Sequence, residues 1–309
     1  MKKILVTPRS FGKYNKDEMA ALFQSHQIEA VYNPYGTILT EEQMEKELSD
    51  KDGVIVGVDP LPEAVLKKAK NLKAVAKYGV GTDNIDVHFA EQNKIKVSRT
   101  VGANSDAVAD YAFALLMAVA RRVVEIDNGC RADDWGKRIA LDVYGKTIGI
   151  LGLGAIGKGV ARRAKGFNMK IYAYDVFQDK AFAEQQGITF TDVETIVKEC
   201  DFISIHLPLI PETHHLINKD TLRNAKENLI VINTSRGGIV NEDDLYELIS
   251  EKRIYGAGID VFEKEPPRDS KLLKLKNVVA GSHTAASTIA ATQKMSRMAA
   301  ENIIRDLEG

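Results

Sequence analysis

Short runs of apolar, β-branched residues alternate along this chain with segments whose apolar positions recur at helical spacing. In the first hundred residues the runs are KILVTP (3–8), EAVYN (29–33), GVIVG (53–57) and KAVAKYG (73–79). Between them lie amphipathic stretches at 15–26, 41–49 and 61–70. Strands that alternate with helices predict parallel βαβ units. A long helix follows, capped by Asn104 or Ser105 and carried by DAVADYAFALLMAVARR to Arg122. Its middle is apolar on nearly every side, the pattern of a helix buried at a domain or subunit boundary, or of an ordinary core helix. A second alternating series then has strands at 146–151, 169–175, 202–207, 229–235, 256–262 and 277–282. A closing helix covers about Ser287 to Leu307.

The fold expected is therefore α/β, with two doubly wound parallel-sheet domains. Residues 1–100 and 285–309 form a discontinuous, flavodoxin-like substrate domain, and residues 101–284 an inserted Rossmann domain. The closing helix is expected to pack back on the first domain.

The second series opens with GKTIGILGLGAIGKGVARRAKGFNMKIYAYD. Gly152, Gly154 and Gly157 form a GxGxxG that follows a strand, opens a helix and precedes a second strand ending in Asp175. In that context the motif binds a dinucleotide. Gly152 permits the tight turn, Gly154 lets the pyrophosphate approach the backbone, and Gly157 lets helix and strand lie close. The helix N-terminus offers free N–H groups and partial positive charge to the phosphates. Asp175 is placed to accept from the ribose hydroxyls, and its charge would repel a 2′-phosphate. NAD is expected rather than NADP.

Ligands of an open parallel sheet sit beyond the carboxyl ends of its strands. Arg236 follows LIVIN, Glu265 follows AGIDVF and His283 follows NVVAGS, all on the edge that carries the glycine turn. Singly each reads as structural: a surface arginine, a loop acid, a helix-capping histidine. Together, beside a dinucleotide, they suit hydride transfer to a 2-keto acid. A histidinium protonates the alkoxide near neutral pH. A carboxylate beside it favours the charged imidazole. An arginine fork holds the substrate carboxylate and polarises the carbonyl.

Net charge is −1, so no overall field draws nucleic acid or an anionic membrane. The longest uncharged apolar run, Tyr111 to Ala120, is half of what a bilayer needs. The N-terminal run is too short for a signal peptide. Cys130 and Cys200 lie 70 residues apart with no partner at metal spacing, so neither zinc nor a disulfide is expected. His214-His215 lack a third ligand and read as solvent-facing. His206 ends a strand, as a pocket-lining or a buried structural histidine. Trp135 is expected in a loop packed on the long helix or on a second subunit. A cytoplasmic protein is expected.

Six segments, in order and spacing, resemble the D-isomer-specific 2-hydroxyacid dehydrogenase family: KYGVGTDNIDV, GANSDAVADYAFALLMAVAR, GILGLGAIG, INTSRGGIVNEDDL, GAGIDVFEKEPP and SHTAAST. The chain most resembles that family's phosphoglycerate dehydrogenase branch. The resemblance implies the arginine, glutamate and histidine roles for Arg236, Glu265 and His283, and substrate carboxylate binding by the Val80 and Gly81 N–H groups. It implies cofactor contacts at Ala155, Ile156, Asp175, Leu207, Pro208, Thr234, Ser235, Asp260, Ala285 and Ala286, with Thr213 nearby. It also implies a homodimer formed through the cofactor domain, which assigns helix 105–122 to an interface.

The chain departs from the family in two places. Ser282 stands where a proline is common before the histidine. VIVGVDPLP, around Gly57, lacks the arginine common at the phosphate pocket of that branch, which leaves Lys77 as the nearby basic candidate, or else as a plain strand-edge lysine. The chain ends at Gly309, so serine feedback through a regulatory domain is not expected. Oxidation of 3-phosphoglycerate ranks first. Reduction of glyoxylate, hydroxypyruvate or another small 2-keto acid ranks second, and formate oxidation a distant third because Glu265 replaces its glutamine. A non-enzymatic NADH sensor is the alternative from another class.

Overall fold

The computed structural model describes residues 1–309, which divide into two compact units: Met1–Asn104 with Ser287–Gly309, and Ser105–Ala286. No helix is long and apolar enough to cross a membrane.

The first unit runs β1 (Lys2–Val6), α1 (Lys16–Ser25), β2 (Ile28–Tyr32), α2 (Glu41–Leu48), β3 (Gly53–Val56), α3 (Glu63–Lys68), β4 (Ala74–Lys77), α4 (Val87–Gln92) and β5 (Lys96–Arg99). Its sheet is parallel throughout, in the order β2-β1-β3-β4-β5. That is the flavodoxin-like arrangement expected. The central strands β3 and β4 are buried on both faces, as helices on each side require. The fifth strand, KVSR, lies outside the expected four. It is a half-exposed edge strand too polar to stand out as an apolar run. The chain's last helix (Ile289–Glu308) is capped by the Thr288 hydroxyl on the Ala291 N–H. It packs Ala299, Ala300, Ile303 and Ile304 against Ile4, Phe23 and Ala76 of this unit.

The second unit runs α5 (Ser105–Ala120), α6 (Val123–Arg131), β6 (Thr147–Leu151), α7 (Ala155–Gly166), β7 (Lys170–Tyr174), α8 (Lys180–Gln186), β8 (Ile188–Phe190), α9 (Val193–Glu199), β9 (Phe202–Ile205), β10 (Ile230–Asn233), α10 (Glu242–Ser250), β11 (Gly256–Ile259) and β12 (Val278–Ala280). The closing helix at 289–308 is then α11. The sheet is parallel, in the order β12-β11-β10-β9-β6-β7-β8. Strand order reverses at β6, so the crevice between β6 and β9 is the switch point where such sheets bind ligands.

Helix α5 is largely apolar because its own unit buries most of it. Ala109, Ala112, Leu116 and Val119 join the core built on Ile148, Ile150 and Ile232. Gly159 of α7 and Gly258 of β11 lack a Cβ where Ala109 and Leu115 press in. Ala114 is exposed and Met117 and Ala118 are half-buried, a stripe on which the expected interface would form. Periodicity reports burial but not whose atoms do the burying. The unit's exposed apolar surface lies just after it. Helix α6 has no buried residue, and Val123, Val124, Ile126, Ile139 and Tyr144 are exposed. Trp135, expected to be packed, is 76% exposed.

Candidate active site

The glycine turn joins β6 to α7. Gly152 has φ +96°, a conformation open to glycine, and a Cβ there would meet the His206 carbonyl at 2.8 Å. A Cβ on Gly157 would collide with the Gly152 carbonyl, so the helix lies directly on the turn. Gly154, the residue before α7, has nothing within 4 Å of its missing Cβ. No side chain caps α7, which leaves the N–H groups at Ala155 and Ile156 facing that open space. A pyrophosphate fits such a cradle.

Asp175 follows β7. Its Oδ2 accepts the Leu153 N–H at 2.6 Å and its Oδ1 the Phe177 N–H at 2.9 Å, which ties the acid to the glycine turn. Leu207 is buried and Pro208 exposed after β9. The Thr213 hydroxyl donates to the Pro208 carbonyl at 2.6 Å and accepts from Ile210 N–H, so it closes the 208–213 loop. Thr234 Oγ1 is buried and has no partner. An orphaned hydroxyl at a strand end is a mark of a binding site.

Arg236 is held by a residue that the sequence reading passed over. Asn233 ends β10 and is almost fully buried. Its Nδ2 donates to the Arg236 carbonyl at 2.7 Å, and its Oδ1 accepts from Ser235 N–H and Oγ. The available signal was a polar residue closing an apolar strand. The guanidinium donates from Nη1 to the Ser235 carbonyl at 2.7 Å.

Glu265 Oε1 accepts the Phe262 N–H at 3.0 Å, and Oε2 lies 2.9 Å from His283 Nδ1. Both side chains are about two-fifths exposed. Burial pushes the Glu265 carboxyl up. The His283 bond, the Phe262 N–H and the charges of His283 and Arg236 outweigh it, and the group stays below the usual carboxylate range. Because Nδ1 is taken by the carboxylate, Nε2 is the nitrogen left for exchange with a ligand.

His283 has φ +56°. Asp260 holds it there: the Asp260 carbonyl accepts the His283 N–H at 2.8 Å, and its two carboxylate oxygens accept from Thr284 and Ala285 at 3.0 and 2.9 Å. Burial raises the Asp260 carboxyl above its ordinary range, against those two bonds and the His283 charge. Ala285 is buried beside it.

His206 is deeply set. Its Nε2 lies 2.8 Å from Ser204 Oγ, and Nδ1 has no partner. Burial drives its pKa down to about 3, so it is neutral at working pH. His215, read from the sequence as solvent-facing, lies 3.1 Å from Glu263 Oε1. That partner is 48 residues away, beyond any local pattern.

In the first unit, Gly79 follows β4 with φ +140°. Thr100 Oγ1 accepts the Gly79 N–H at 2.8 Å. The Val80 and Gly81 N–H groups find no acceptor within the chain. Lys77 is 6% exposed, and its ammonium donates to the Gly57 carbonyl and to Asn84 Oδ1. Asn84 in turn donates to the Gly57 and Asp59 carbonyls. No cluster of side chains suited to a metal ion is present.

Residues 113–285 match the NAD binding domain of D-isomer specific 2-hydroxyacid dehydrogenases. The chain is 46% identical over 253 residues to a glyoxylate reductase of Korarchaeum cryptofilum, covering 80% of this chain and 76% of that one. It is 36% identical to a D-3-phosphoglycerate dehydrogenase of Methanocaldococcus jannaschii over all of this chain and 58% of the relative. Among solved structures, the TT0316 protein of Thermus thermophilus superposes with TM-score 0.90 at 33% identity, covering 99% of this chain and 97% of that one. A cradle fit for a pyrophosphate, a sheet with its switch point at that cradle and these likenesses agree: the chain belongs to the D-isomer-specific 2-hydroxyacid dehydrogenase family and is an NAD-dependent oxidoreductase.

Proposed function

We propose that His283, Glu265 and Arg236 carry the reduction of a small, unphosphorylated 2-keto acid of the glyoxylate or hydroxypyruvate kind. NAD(H), when bound, supplies or accepts the hydride. His283 delivers a proton from Nε2 to the developing alkoxide, and takes it back in oxidation. Glu265 fixes the Nδ1 tautomer and stabilises the imidazolium. Arg236 binds the substrate carboxylate and polarises its carbonyl. The Val80 and Gly81 N–H groups, which find no acceptor in the chain, are suited to a carboxylate. Residues 152–157 and Asp175 hold the pyrophosphate and ribose, while Leu207, Pro208, Thr234, Ser235, Asp260, Ala285 and Ala286 line the rest of the cofactor's path. The 2.9 Å pairing of His283 with Glu265 at the strand ends carries the reading. Continuous assay of NADH loss at 340 nm with a panel of 2-keto acids tests it. Tight NADH binding with no turnover of any acid would leave a sensor instead.

Two observations support the unphosphorylated substrate. The segment VIVGVDPLP around Gly57 contains no arginine, and the Lys77 ammonium already donates to Gly57 and Asn84. The likeness to a phosphoglycerate dehydrogenase across the whole chain supports the second reading, 3-phosphoglycerate oxidation with Lys77 at the phosphate. Comparing kcat/KM for 3-phosphoglycerate and D-glycerate in wild type and Lys77→Ala separates them. A phosphate contact predicts loss confined to the phosphorylated acid. A loop-holding lysine predicts equal loss for both.

The apolar surface of α6 and the segment after it, with Trp135 and Ile139 most exposed, is large enough to favour a partner. A second copy of the chain is the proposed occupant. Sedimentation of Ile139→Glu as a monomer, against a wild-type dimer, would support it, and a monomeric wild type would refute it.

A further inference from the structure

Arg236 and Glu265 stand on different loops, and something must set one loop against the other. Gly237 directly follows Arg236. A Cβ at Gly237 would fall inside the carbonyl of Phe262 and against the Glu263 N–H, so the two loops touch backbone to backbone. A second contact lies one turn further on, at the start of α10. The Glu263 N–H donates to Glu242 Oε1 at 2.6 Å, and the Glu242 N–H donates to Glu263 Oε1 at 3.2 Å. Ser270 Oγ donates to the other Glu242 oxygen at 3.3 Å.

This exchange places two carboxylates side by side, which Coulomb repulsion opposes. Burial first, then Glu263 and Asp243, raise the Glu242 carboxyl. On the far side, His215 Nε2 lies 3.1 Å from Glu263 Oε1. Its own N–H donates to the Gly238 carbonyl at 2.8 Å, and the Asn241 side chain lies 3.4 Å from its Nδ1. The remaining charges near this cluster are Lys271 on Asp243 and Lys219 on Asp244. A charged pair kept at such a cost is held for what it positions.

We propose that Glu242, with Glu263 and His215, is a positioning clamp that keeps the Glu265 loop in register with the arginine loop, and so keeps Glu265 on His283. The proposal rests on the roles given above to Arg236, Glu265 and His283. None of the clamp residues is among those assigned above to substrate or cofactor. Their effect passes through the Phe262 N–H, which binds Glu265, and through Gly237, which adjoins Arg236.

The test compares Glu242→Ala with Glu242→Gln, since glutamine keeps an acceptor for the Glu263 N–H. Steady-state kinetics with NADH and glyoxylate, NADH binding by fluorescence, and NMR titration of the His283 ring are measured on each. In Glu242→Ala the expected loss in kcat is about tenfold, from misplacement of a catalytic pair. NADH affinity should stay within about twofold of wild type, because the glycine turn is untouched. The His283 titration should move to lower pH by about half a unit or more, as Glu265 drifts from the ring. Asp260 and Arg236, the other charges near this pair, are unaltered. Glu242→Gln should restore both readouts. An unmoved His283 titration in Glu242→Ala, or failure of glutamine to restore it, overturns the clamp. Absence of glyoxylate turnover in wild type would instead count against the catalytic reading, while the titration would still judge the clamp.

Discussion

The carboxyl edges of the two sheets are built from similar residue types and put them to opposite uses. In the first unit, Thr7, Asp59, Lys77 and Asn84 gather beyond β1, β3 and β4. Asp59, 3% exposed, accepts from the Thr7 hydroxyl and from the Leu39 N–H at 2.9 Å. Thr7 Oγ1 accepts the Gly57 N–H in turn. These groups satisfy one another within the cluster, while the N–H groups at 80 and 81 find no acceptor in the chain. In the second unit, Glu265 and His283 remain about two-fifths exposed, and Thr234 is left without a partner. Polar groups that satisfy one another add rigidity, whereas polar groups left open have binding energy for a ligand.

The contrast predicts that substitutions at the open edge change rate, and those at the closed edge change stability. His283→Ala should lower turnover roughly 10²- to 10⁴-fold with an unchanged melting temperature. Near-normal turnover would mean that another group donates the proton. Asp59→Ala strands the Thr7 hydroxyl and the Leu39 N–H, at about 1–3 kcal/mol, which urea unfolding will register. An unchanged midpoint would mean the closed cluster contributes nothing.

Glu265→Gln sharpens the comparison within the open edge. Glutamine cannot stabilise the imidazolium by charge, so reduction should fade at lower pH than in wild type, by about one unit. In wild type the Glu265 carboxyl is depressed below the usual carboxylate range, so its own contribution to stability is present above that range and is lost as pH falls through the depressed value. An unshifted alkaline limb in the variant would contradict the pairing.

His206, with Nε2 on Ser204 and Nδ1 without a partner, is a titratable group of the open unit. Its imidazole, buried to about 3 from an ordinary 6.5, takes a proton more readily unfolded than folded. Its contribution is full above pH 6.5 and drains as pH falls towards 3, at about 1.4 kcal/mol per unit. His206→Gln should flatten that acid slope in thermal unfolding measured between neutral and acidic pH. An equal slope in both proteins would mean the histidine titrates normally.

Much of this architecture was legible beforehand. The two alternating series and the glycine turn announce themselves because period and punctuation are local. The edge strand KVSR was not legible, since polar residues on a half-exposed strand leave no apolar run. The network of Thr7 with Asp59 was hidden too, because its members are 52 residues apart. The pairing of His215 with Glu263, 48 residues away, was hidden for the same reason. The burial of helix α5 was evident from its composition, and the unit's own core accounts for the face carrying Ala109, Ala112, Leu116 and Val119. At the site, the residue types after each strand could be read directly, whereas the supports that fix their geometry, Asn233 and Glu242, had no local signature.

The left-handed backbone at His283 has a practical corollary. A glycine would occupy that conformation with less strain than the histidine it replaced, and the Asp260 grip, made entirely to main-chain nitrogens, would persist. Such a substitution removes a ring and leaves its loop standing. Free imidazole supplied in solution should then restore part of the lost turnover, if the ring of His283 is the proton donor proposed.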